Sequence, residues 1–291
     1  MLTKEFIDTV RGNTMVQIIT DSSTLITVAE GKEMGIDVLP LCVNIMDEDY
    51  RDLQVDMDDF YGKIAKGGIP KSSQPPVGEY VEAFKAHAGK KILNIAMAHG
   101  LSGTYQSACG AKEIADNKDD IEVFNTRTLC GPHRYMVEKA LAMANAGAAM
   151  EEILRVLEEC RDNCHSYLIV QDFDFLRRGG RLTPVAAKFA SALNVKPIME
   201  QVEEGTRLSI HGVARTIKGA AKNIKSQLEK RNVGEGYLIS ISHARAEKDA
   251  QEIAAVMRET FAKAKVEILD LSPAFITQGG PGCIAVQYAK I

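Results

Sequence analysis

Short apolar runs alternate with stretches of helical spacing along most of the chain. β-Branched and aliphatic residues cluster at positions 16–20, 91–98 and 121–124, a pattern typical of buried strands. Between such runs, apolar side chains recur three and four positions apart, as at residues 56–66, which predicts amphipathic helices. Repeated alternation of strands and helices indicates an α/β fold with a mainly parallel sheet.

The pattern changes at about residue 165. Two apolar runs, 195–202 and 207–213, flank the polar tetrapeptide Glu203-Glu204-Gly205-Thr206, which predicts an antiparallel hairpin. Before them, residues 174–181 combine arginines with glycines and predict a basic turn. Further strands are predicted at residues 166–171, 237–242, 266–271 and 283–288.

The sequence therefore predicts an α/β protein built from two α/β lobes. The first lobe, residues 16–165, has a mainly parallel sheet, and the second, residues 166–291, has a mixed sheet that includes the antiparallel hairpin. Residues 1–15 are interpreted as an N-terminal extension. A length of 291 residues suits two domains of ordinary size.

Composition narrows the class of partner. Hydrophobic residues make up 45% and charged residues 25% of the chain, the mixture of a globular protein. The net charge of −4 argues against nucleic-acid partners and anionic membranes, which both require a basic face. No apolar stretch is long enough for a membrane span or for the core of a signal peptide. We expect a cytoplasmic protein without stable membrane insertion.

The six cysteines are scattered, and no CxxC pair occurs. In a cytoplasmic chain they are expected to be reduced thiols. Some side chains are of the types that ligate zinc: Cys130, His133, Cys160, Cys164 and His165. However, Cys160 and Cys164 lie one helical turn apart in an amphipathic run, so they are interpreted as core residues. We therefore expect no metal and no cofactor.

Two hydroxyl-rich loops carry the candidate chemistry. They are Lys71-Ser72-Ser73-Gln74-Pro75-Pro76 and Leu101-Ser102-Gly103-Thr104-Tyr105-Gln106-Ser107, and each interrupts apolar segments. The second leads directly into a predicted helix, whose free amides and dipole favour a carboxylate or phosphate. No obvious catalytic base accompanies either loop. The pair is suited to hold an anionic group.

Each loop also has simpler interpretations, and an enzymatic alternative stays open. Serines at these positions are equally typical of turns and helix caps.

Residues 100–104 nearly match the GxSxG motif of hydrolases. An α/β enzyme acting on a small phosphorylated or carboxylated metabolite would use Asp21, Ser102 and His243 as its working groups. A regulatory module with a filled, vestigial pocket is a third reading.

Five motifs in order make the chain resemble the DegV family of bacterial fatty-acid-binding proteins, the binding subunits of fatty acid kinase. The resemblance extends from about residue 16 to the C-terminus. The motifs are Ile19-Thr20-Asp21-Ser22, Lys71-Ser72-Ser73-Gln74-Pro75, Leu101-Ser102-Gly103-Thr104-Tyr105-Gln106-Ser107-Ala108, Phe175-Leu176 through Gly179-Gly180-Arg181, and Gly280-Pro281-Gly282.

The resemblance implies two α/β lobes that bury one long-chain fatty acid. It implies a carboxylate site formed by Ser72, Ser73, Ser102, Gly103, Thr104 and Gln278. Asp21, His99 and Arg215 are further candidates for this site. The chain departs from the family in having Ser72 where threonine is usual, Gln278 where histidine is frequent, and His99 in place of a serine.

The resemblance also implies a protein partner. In this family a separate kinase phosphorylates the carboxylate of the bound fatty acid with ATP, and the binding protein contributes no catalytic residue. Arg178 and Arg181 match a basic segment that faces the kinase. By this resemblance the protein is not itself an enzyme; it carries an acyl ligand and presents it to the catalytic protein.

Overall fold

The first sheet is wholly parallel, and its two faces are both covered by helices. In the computed structural model, which describes residues 16–188 and 195–291, its strand order is β2-β1-β6-β7. The predicted extension, residues 1–15, lies outside the described residues. The strands are β1 (Val16–Asp21), β2 (Asp37–Leu39), β6 (Lys91–Ala96) and β7 (Ile121–Asn125).

Neighbouring residues of β1 show why both faces are covered. Ile18 belongs to the core beneath the helix that contains Met136, whereas Ile19 packs on the opposite face with Tyr80 and Phe84. A strand buried on both faces has a continuous apolar run, as the sequence shows. The covering helices are α1 (Val28–Met34), α3 (Val77–Ala86), α4 (Thr104–Ile114), α5 (Cys130–Asn145) and α6 (Met150–Asp162).

A small antiparallel sheet, with strand order β4-β3-β5, lies beside the first sheet. Its strands are β3 (Cys42–Ile45), β4 (Glu48–Arg51) and β5 (Lys71–Ser73), and α2 (Met57–Ala65) lies between β4 and β5 in sequence. The apolar stretch at residues 37–45 forms two strands in different sheets, because the chain leaves the parallel sheet at Pro40 and Leu41. The start of the first hydroxyl loop is likewise a strand, β5.

The second sheet is mixed, with the order β10-β9-β8-β13-β11-β12. The predicted hairpin, β9 with β10, is antiparallel, and β11 pairs in parallel with β12. The two-lobed α/β fold class is therefore confirmed. The strands are β8 (Cys164–Ile169), β9 (Lys196–Val202), β10 (Arg207–Ala214), β11 (Tyr237–His243), β12 (Lys265–Asp270) and β13 (Ile284–Lys290).

Two long helices, α9 and α10, pack against this sheet, and three short helices complete the lobe. They are α7 (Phe173–Gly179), α8 (Pro184–Ala187), α9 (Ile217–Lys230), α10 (Glu247–Thr260) and α11 (Pro273–Gly279). No helix among the described residues is long and apolar enough to cross a membrane.

Two local predictions in the second half of the chain are wrong, and one helix was missed. The basic segment 174–181 was expected to be a turn, but it is largely α7, which Asp172 caps and Gly180 ends with a φ of 72°. Cys164 is the first residue of β8, so it is not part of the helix that contains Cys160. The helix α11 was not predicted, because its seven residues are too few to display a helical period.

Candidate functional site

A largely apolar cavity lies between the two lobes. The space inside it that the centre of a water molecule can occupy is about 120 Å³. Both lobes contribute aliphatic and aromatic side chains to its wall. Examples are Leu41, Met97, Leu101 and Leu129 from the first lobe, and Leu168, Leu176, Leu208, Leu271 and Phe275 from the second.

The first hydroxyl loop meets α11 at the mouth of this cavity. Ser72 lies in β5, opposite Val43 of β3, and its Oγ is 3.0 Å from Oγ1 of Thr277. Thr277 donates its own hydrogen to the carbonyl of Ala274, at 2.7 Å, so Ser72 is the donor in the contact between the two hydroxyls. The neighbouring residues Ser73 and Gln74 line the cavity and are exposed.

The second hydroxyl loop lies next to the first. The Ser102 Oγ is 2.7 Å from Oγ1 of Thr104 and accepts a bond from the Thr104 amide at 3.3 Å. Gly103, the residue that precedes α4, packs closely on Gln74: a Cβ at Gly103 would lie 3.1 Å from the Gln74 Cδ. The structure therefore brings both loops, predicted from separate motifs, to one side of the same cavity.

Gln278 lines the cavity from α11. Its amide nitrogen donates to Oγ1 of Thr277 at 3.2 Å, whereas its Oε1 is buried and has no hydrogen-bond partner among the described residues. The Oε1 packs against Gly179 of α7, where a Cβ would lie at only 1.9 Å. An unpaired buried acceptor is costly; the amide nitrogen of the same side chain contacts Thr277, which in turn contacts Ser72.

Arg181 is the one cationic residue among those that line the cavity in the described part of the chain. Its Nε donates to the carbonyl of Leu101 at 3.0 Å, and its NH1 donates to the carbonyl of Gly179. Burial lowers the pKa of the guanidinium, and the charge of Arg207 acts in the same direction. This positive charge lies next to the second hydroxyl loop, so it can compensate the charge of an anion bound there.

The other candidate residues do not line the cavity. Asp21 is buried, and its carboxylate accepts from the amides of Ser23 at 2.9 Å and Met97 at 3.1 Å. His99 contacts the side-chain amide of Asn125, with 2.8 Å between Nδ1 and Nδ2. Arg215 and Arg178 are both exposed; the Arg178 guanidinium lies 4.8 Å from the centre of the Phe175 ring.

The groups of the enzymatic alternative are not assembled. The Asp21 carboxylate is occupied by backbone amides, as described above. The Nε2 of His243 bonds to Glu247 at 2.7 Å, and the Ser102 Oγ contacts Thr104. None of these bonds links two of the three proposed working groups, so the described hydrogen bonds contain no triad.

The cysteine and histidine candidates for zinc are also dispersed. His133 is fully buried, and its Nδ1 lies 2.9 Å from the Ser23 Oγ. Burial lowers the pKa of His133. Across residues 16–188 and 195–291, no group of three or more histidine, cysteine, aspartate or glutamate side chains is arranged to hold a metal ion.

Sequence reasoning missed Asp52, which joins the two lobes behind the site. Its buried carboxylate accepts from the Ser22 hydroxyl at 2.7 Å, the Ser272 hydroxyl at 2.9 Å and the Ala274 amide at 3.0 Å. Burial raises its pKa to about 6 despite these donors. The contacts fix the start of α11, which carries Thr277 and Gln278. Asp52 stands in an ordinary polar stretch, so no sequence pattern indicated this role.

Comparison with known proteins identifies the family. The family model described as "DegV: Uncharacterised protein, DegV family" matches residues 15–290. The chain belongs to the DegV family. A DegV domain-containing protein of Clostridium perfringens is 32% identical over 282 residues, which cover 92% of this chain and 95% of that protein.

Solved DegV structures share the fold. The crystal structure of DegV from Bacillus subtilis, described as a fatty-acid-binding protein, aligns with a TM-score of 0.82 at 26% identity and covers 95% of this chain and 99% of that one. A DegV family protein from Ruminococcus gnavus, solved with vaccenic acid, aligns with a TM-score of 0.84 at 27% identity and covers 94% and 100%. Fatty acid binding thus occurs on this fold in these DegV proteins.

Proposed function

We propose that this DegV chain binds one long-chain fatty acid in the cavity between its lobes and presents the carboxylate to a partner kinase for phosphorylation. The observation that carries the proposal is the form of the cavity: a mainly apolar space between the lobes, with hydroxyls and one guanidinium on the side where the two serine loops meet. The two related DegV proteins described above bind fatty acids, which supports the same ligand class here.

The polar groups suit the carboxylate of such a ligand. The hydroxyls of Ser72 and Ser102 line the cavity, and each can rotate from its present partner, Thr277 or Thr104, to donate to a carboxylate. The Arg181 guanidinium adds positive charge beside Leu101. Charge-assisted hydrogen bonds of this kind are about twice as strong as neutral ones. They therefore offset the free-energy cost of removing a carboxylate from water.

The apolar wall suits the tail. Burying about 15 methylenes at about 0.8 kcal/mol each gives roughly 12 kcal/mol of gross stabilisation. The entropy lost when the ligand associates and its chain becomes ordered offsets part of this stabilisation. The remainder permits tight binding of a long chain.

Exposed residues at the mouth of the cavity support the proposal that the carboxylate is presented to a kinase. Ser73 and Gln74 are exposed next to the proposed carboxylate site, and Arg178 is exposed on α7. We propose that this face, with Arg178 and Arg181, meets the catalytic protein in the cytoplasm, and that the chain contributes no catalytic residue of its own. Arg215, exposed after β10, is a further candidate contact for the phosphorylated headgroup.

The direct test is mass spectrometry of ligand released by denaturing the freshly purified protein. We expect one equivalent of long-chain acyl species. Repeated preparations that contain no acyl species, and that bind none when fatty acid is added, would contradict the proposal.

A further inference from the structure

Three buried polar side chains interrupt the apolar wall of the cavity on the second sheet. Ser166 of β8 lies opposite Gln287 of β13 in the antiparallel register. Gln201 lies on β9, one position beyond the pair formed by Tyr167 and Glu200. All three line the cavity, and their exposed fractions are only 8%, 1% and 6% for Ser166, Gln287 and Gln201, respectively.

The hydrogen bonds of Gln287 leave one atom unused. Its Nε2 donates to the Leu129 carbonyl at 3.0 Å and to the Ser166 Oγ at 2.8 Å, so both amide hydrogens have acceptors. Its Oε1 is buried without a hydrogen-bond partner among the described residues. Ser166 accepts from Gln287, and its own hydroxyl hydrogen has no acceptor in the same part of the chain. The pair therefore offers one acceptor and one donor.

One oxygen atom can reach both groups. The oxygen and nitrogen of a carboxamide are about 2.2 Å apart, from standard bond lengths. The Ser166 Oγ, 2.8 Å from the Gln287 Nε2, is therefore within about 5 Å of the Gln287 Oε1. A hydroxyl placed between them can donate to the Gln287 Oε1 and accept from the Ser166 Oγ, each at about 2.8 Å.

The pair also has a definite place along the cavity. Gln278 lies next to Gly279, which packs on Cys283, and β13 continues from there to Gln287. Four residues of strand span about 13 Å, which corresponds to roughly ten carbons of an extended chain with bonds of about 1.5 Å. The pair therefore faces the middle of a bound tail, far from the carboxylate.

Charge at this position favours a neutral group. Arg181 is hydrogen-bonded to Leu208 of β10, and β10 is three strands away from β13 in the sheet, or about 14 Å. A second carboxylate next to the Gln287 Oε1 would thus lack a nearby cation from the cavity wall. A hydroxyl needs none.

We propose that this protein selects long-chain fatty acids that carry a hydroxyl group near the middle of the chain, and that Gln287 and Ser166 recognise this hydroxyl. The inference rests on the proposed fatty acid function and specifies its ligand class. When a ligand without the hydroxyl binds, the buried polar groups of such a site stay unpaired. The site therefore discriminates between the two ligands more strongly than a purely apolar pocket does.

The test measures dissociation constants for stearic acid, a mid-chain hydroxystearic acid, the corresponding oxostearic acid and α-hydroxystearic acid. We expect the mid-chain hydroxy acid to bind about five- to tenfold more tightly than stearic acid. The oxo acid can accept from Ser166 but cannot donate to the Gln287 Oε1, so it should show a smaller gain. The α-hydroxy acid, whose hydroxyl lies at the wrong end, should show none.

Variants assign the preference to the pair. Gln287→Leu and Ser166→Ala should each remove most of the preference for the hydroxy acid over stearic acid. Ser240→Ala is the matched control, because Ser240 lies opposite Gln287 on β11 but faces Gly131 of α5. It removes a buried hydroxyl of the same sheet outside the cavity wall, so the preference should persist.

The possible outcomes separate the two proposals. Tight binding of stearic acid with no preference for the hydroxy acid, or a preference that survives both Gln287→Leu and Ser166→Ala, would overturn the hydroxyl inference alone. Failure of all four acids to bind would overturn the proposed function and this inference with it.

Discussion

At the scale of single residues, the hydroxyls at the cavity mouth are held in place by their neighbours. Ser72 donates to Thr277, and Ser102 bonds to Thr104. These contacts restrain the side chains, so little conformational freedom is lost when a hydroxyl hydrogen turns from its present partner to a ligand. This arrangement predicts that loss of one hydroxyl lowers the affinity for the ligand more than it lowers the stability of the fold.

Replacement of Ser102 by alanine tests this expectation. Ser102→Ala should weaken fatty acid binding by about 1–3 kcal/mol, because it removes a donor in a partly buried site. Isothermal titration with one fatty acid measures the change. Ser107→Ala is the control, since Ser107 lies one turn further along α4 and does not line the cavity. Equal affinities for wild type and Ser102→Ala would remove Ser102 from the carboxylate site.

Asp52 gives a prediction of pH dependence. Its pKa rises from an ordinary 3.8 to about 6 in the folded protein, so the folded state holds this proton more tightly than the unfolded state. Between about pH 4 and pH 6, ionisation of Asp52 therefore lowers the free energy of unfolding as pH rises, by about 3 kcal/mol in total. Below that window both states are protonated, so the free energy of unfolding no longer changes with pH through Asp52 and has not yet lost this contribution.

Asp52→Asn removes this titration while keeping the shape of the side chain. The difference in unfolding free energy, variant minus wild type, should become more positive by about 3 kcal/mol from pH 4 to pH 7. Urea unfolding at a series of pH values measures it, and the subtraction cancels the titration of other groups such as His133. A difference that stays constant with pH would contradict the raised pKa.

At the scale of elements, two short helices form one wall of the site. α7 and α11 contact each other through Gly179 and Gln278, and α11 also presents Thr277 to β5. Each helix has only seven residues, so tertiary packing rather than intrinsic helix propensity stabilises it. The position of Gln278 thus depends on the close approach of its neighbouring helix.

Gly179→Ala should displace Gln278 without unfolding the protein. The new Cβ would lie 1.9 Å from the Gln278 Oε1, which is the end of a flexible side chain and can move. We expect fatty acid affinity to fall by about five- to tenfold, or about 1 kcal/mol, with little change in thermal stability. Gly110→Ala in α4 is the control, because nothing lies within 4 Å of its Cβ position; it should leave affinity unchanged.

At the scale of the whole molecule, α5 and α6 of the first lobe pack against the second sheet, and the two lobes also touch at close contacts beside the cavity. Gly100, directly before the second hydroxyl loop, lies against Thr206 of the β9–β10 turn, and Gln201 donates to the Arg127 carbonyl at 3.0 Å. Asp52 supplies a third contact, to α11. Because these contacts lie close to the cavity, we expect them to influence its width.

Gly100→Ala should force the lobes apart. The new Cβ would lie 2.3 Å from the Thr206 Cα, a backbone atom that no rotamer change can move. Overpacking of this kind costs about 1–3 kcal/mol, and fatty acid affinity should fall together with stability. Thermal unfolding with and without ligand measures both effects. Gly78→Ala, whose Cβ position is open, is the control; equal stability of the two variants would show that this contact does not hold the lobes.

The sequence predicted the larger elements well because their signals are local. The strands at residues 16–20 and 121–124 and the helix at 56–66 appear where the apolar period places them. The serine loops were also found from sequence, and the structure places both beside one cavity. Their roles in binding remain predictions. Short elements such as β5, α7 and α11 escaped prediction or were assigned as turns, because three to seven residues carry too little periodicity.

By itself, the sequence determined the α/β class, the two lobes and the loops with candidate chemistry, because hydrophobic period and motif order are properties of neighbouring residues. Only the tertiary structure decided which distant groups meet. Ser72 contacts Thr277, Asp52 bonds to Ala274, and the Gln287 Oε1 is left without a partner. Such contacts join residues that are hundreds of positions apart or depend on strand register, and no local pattern specifies them.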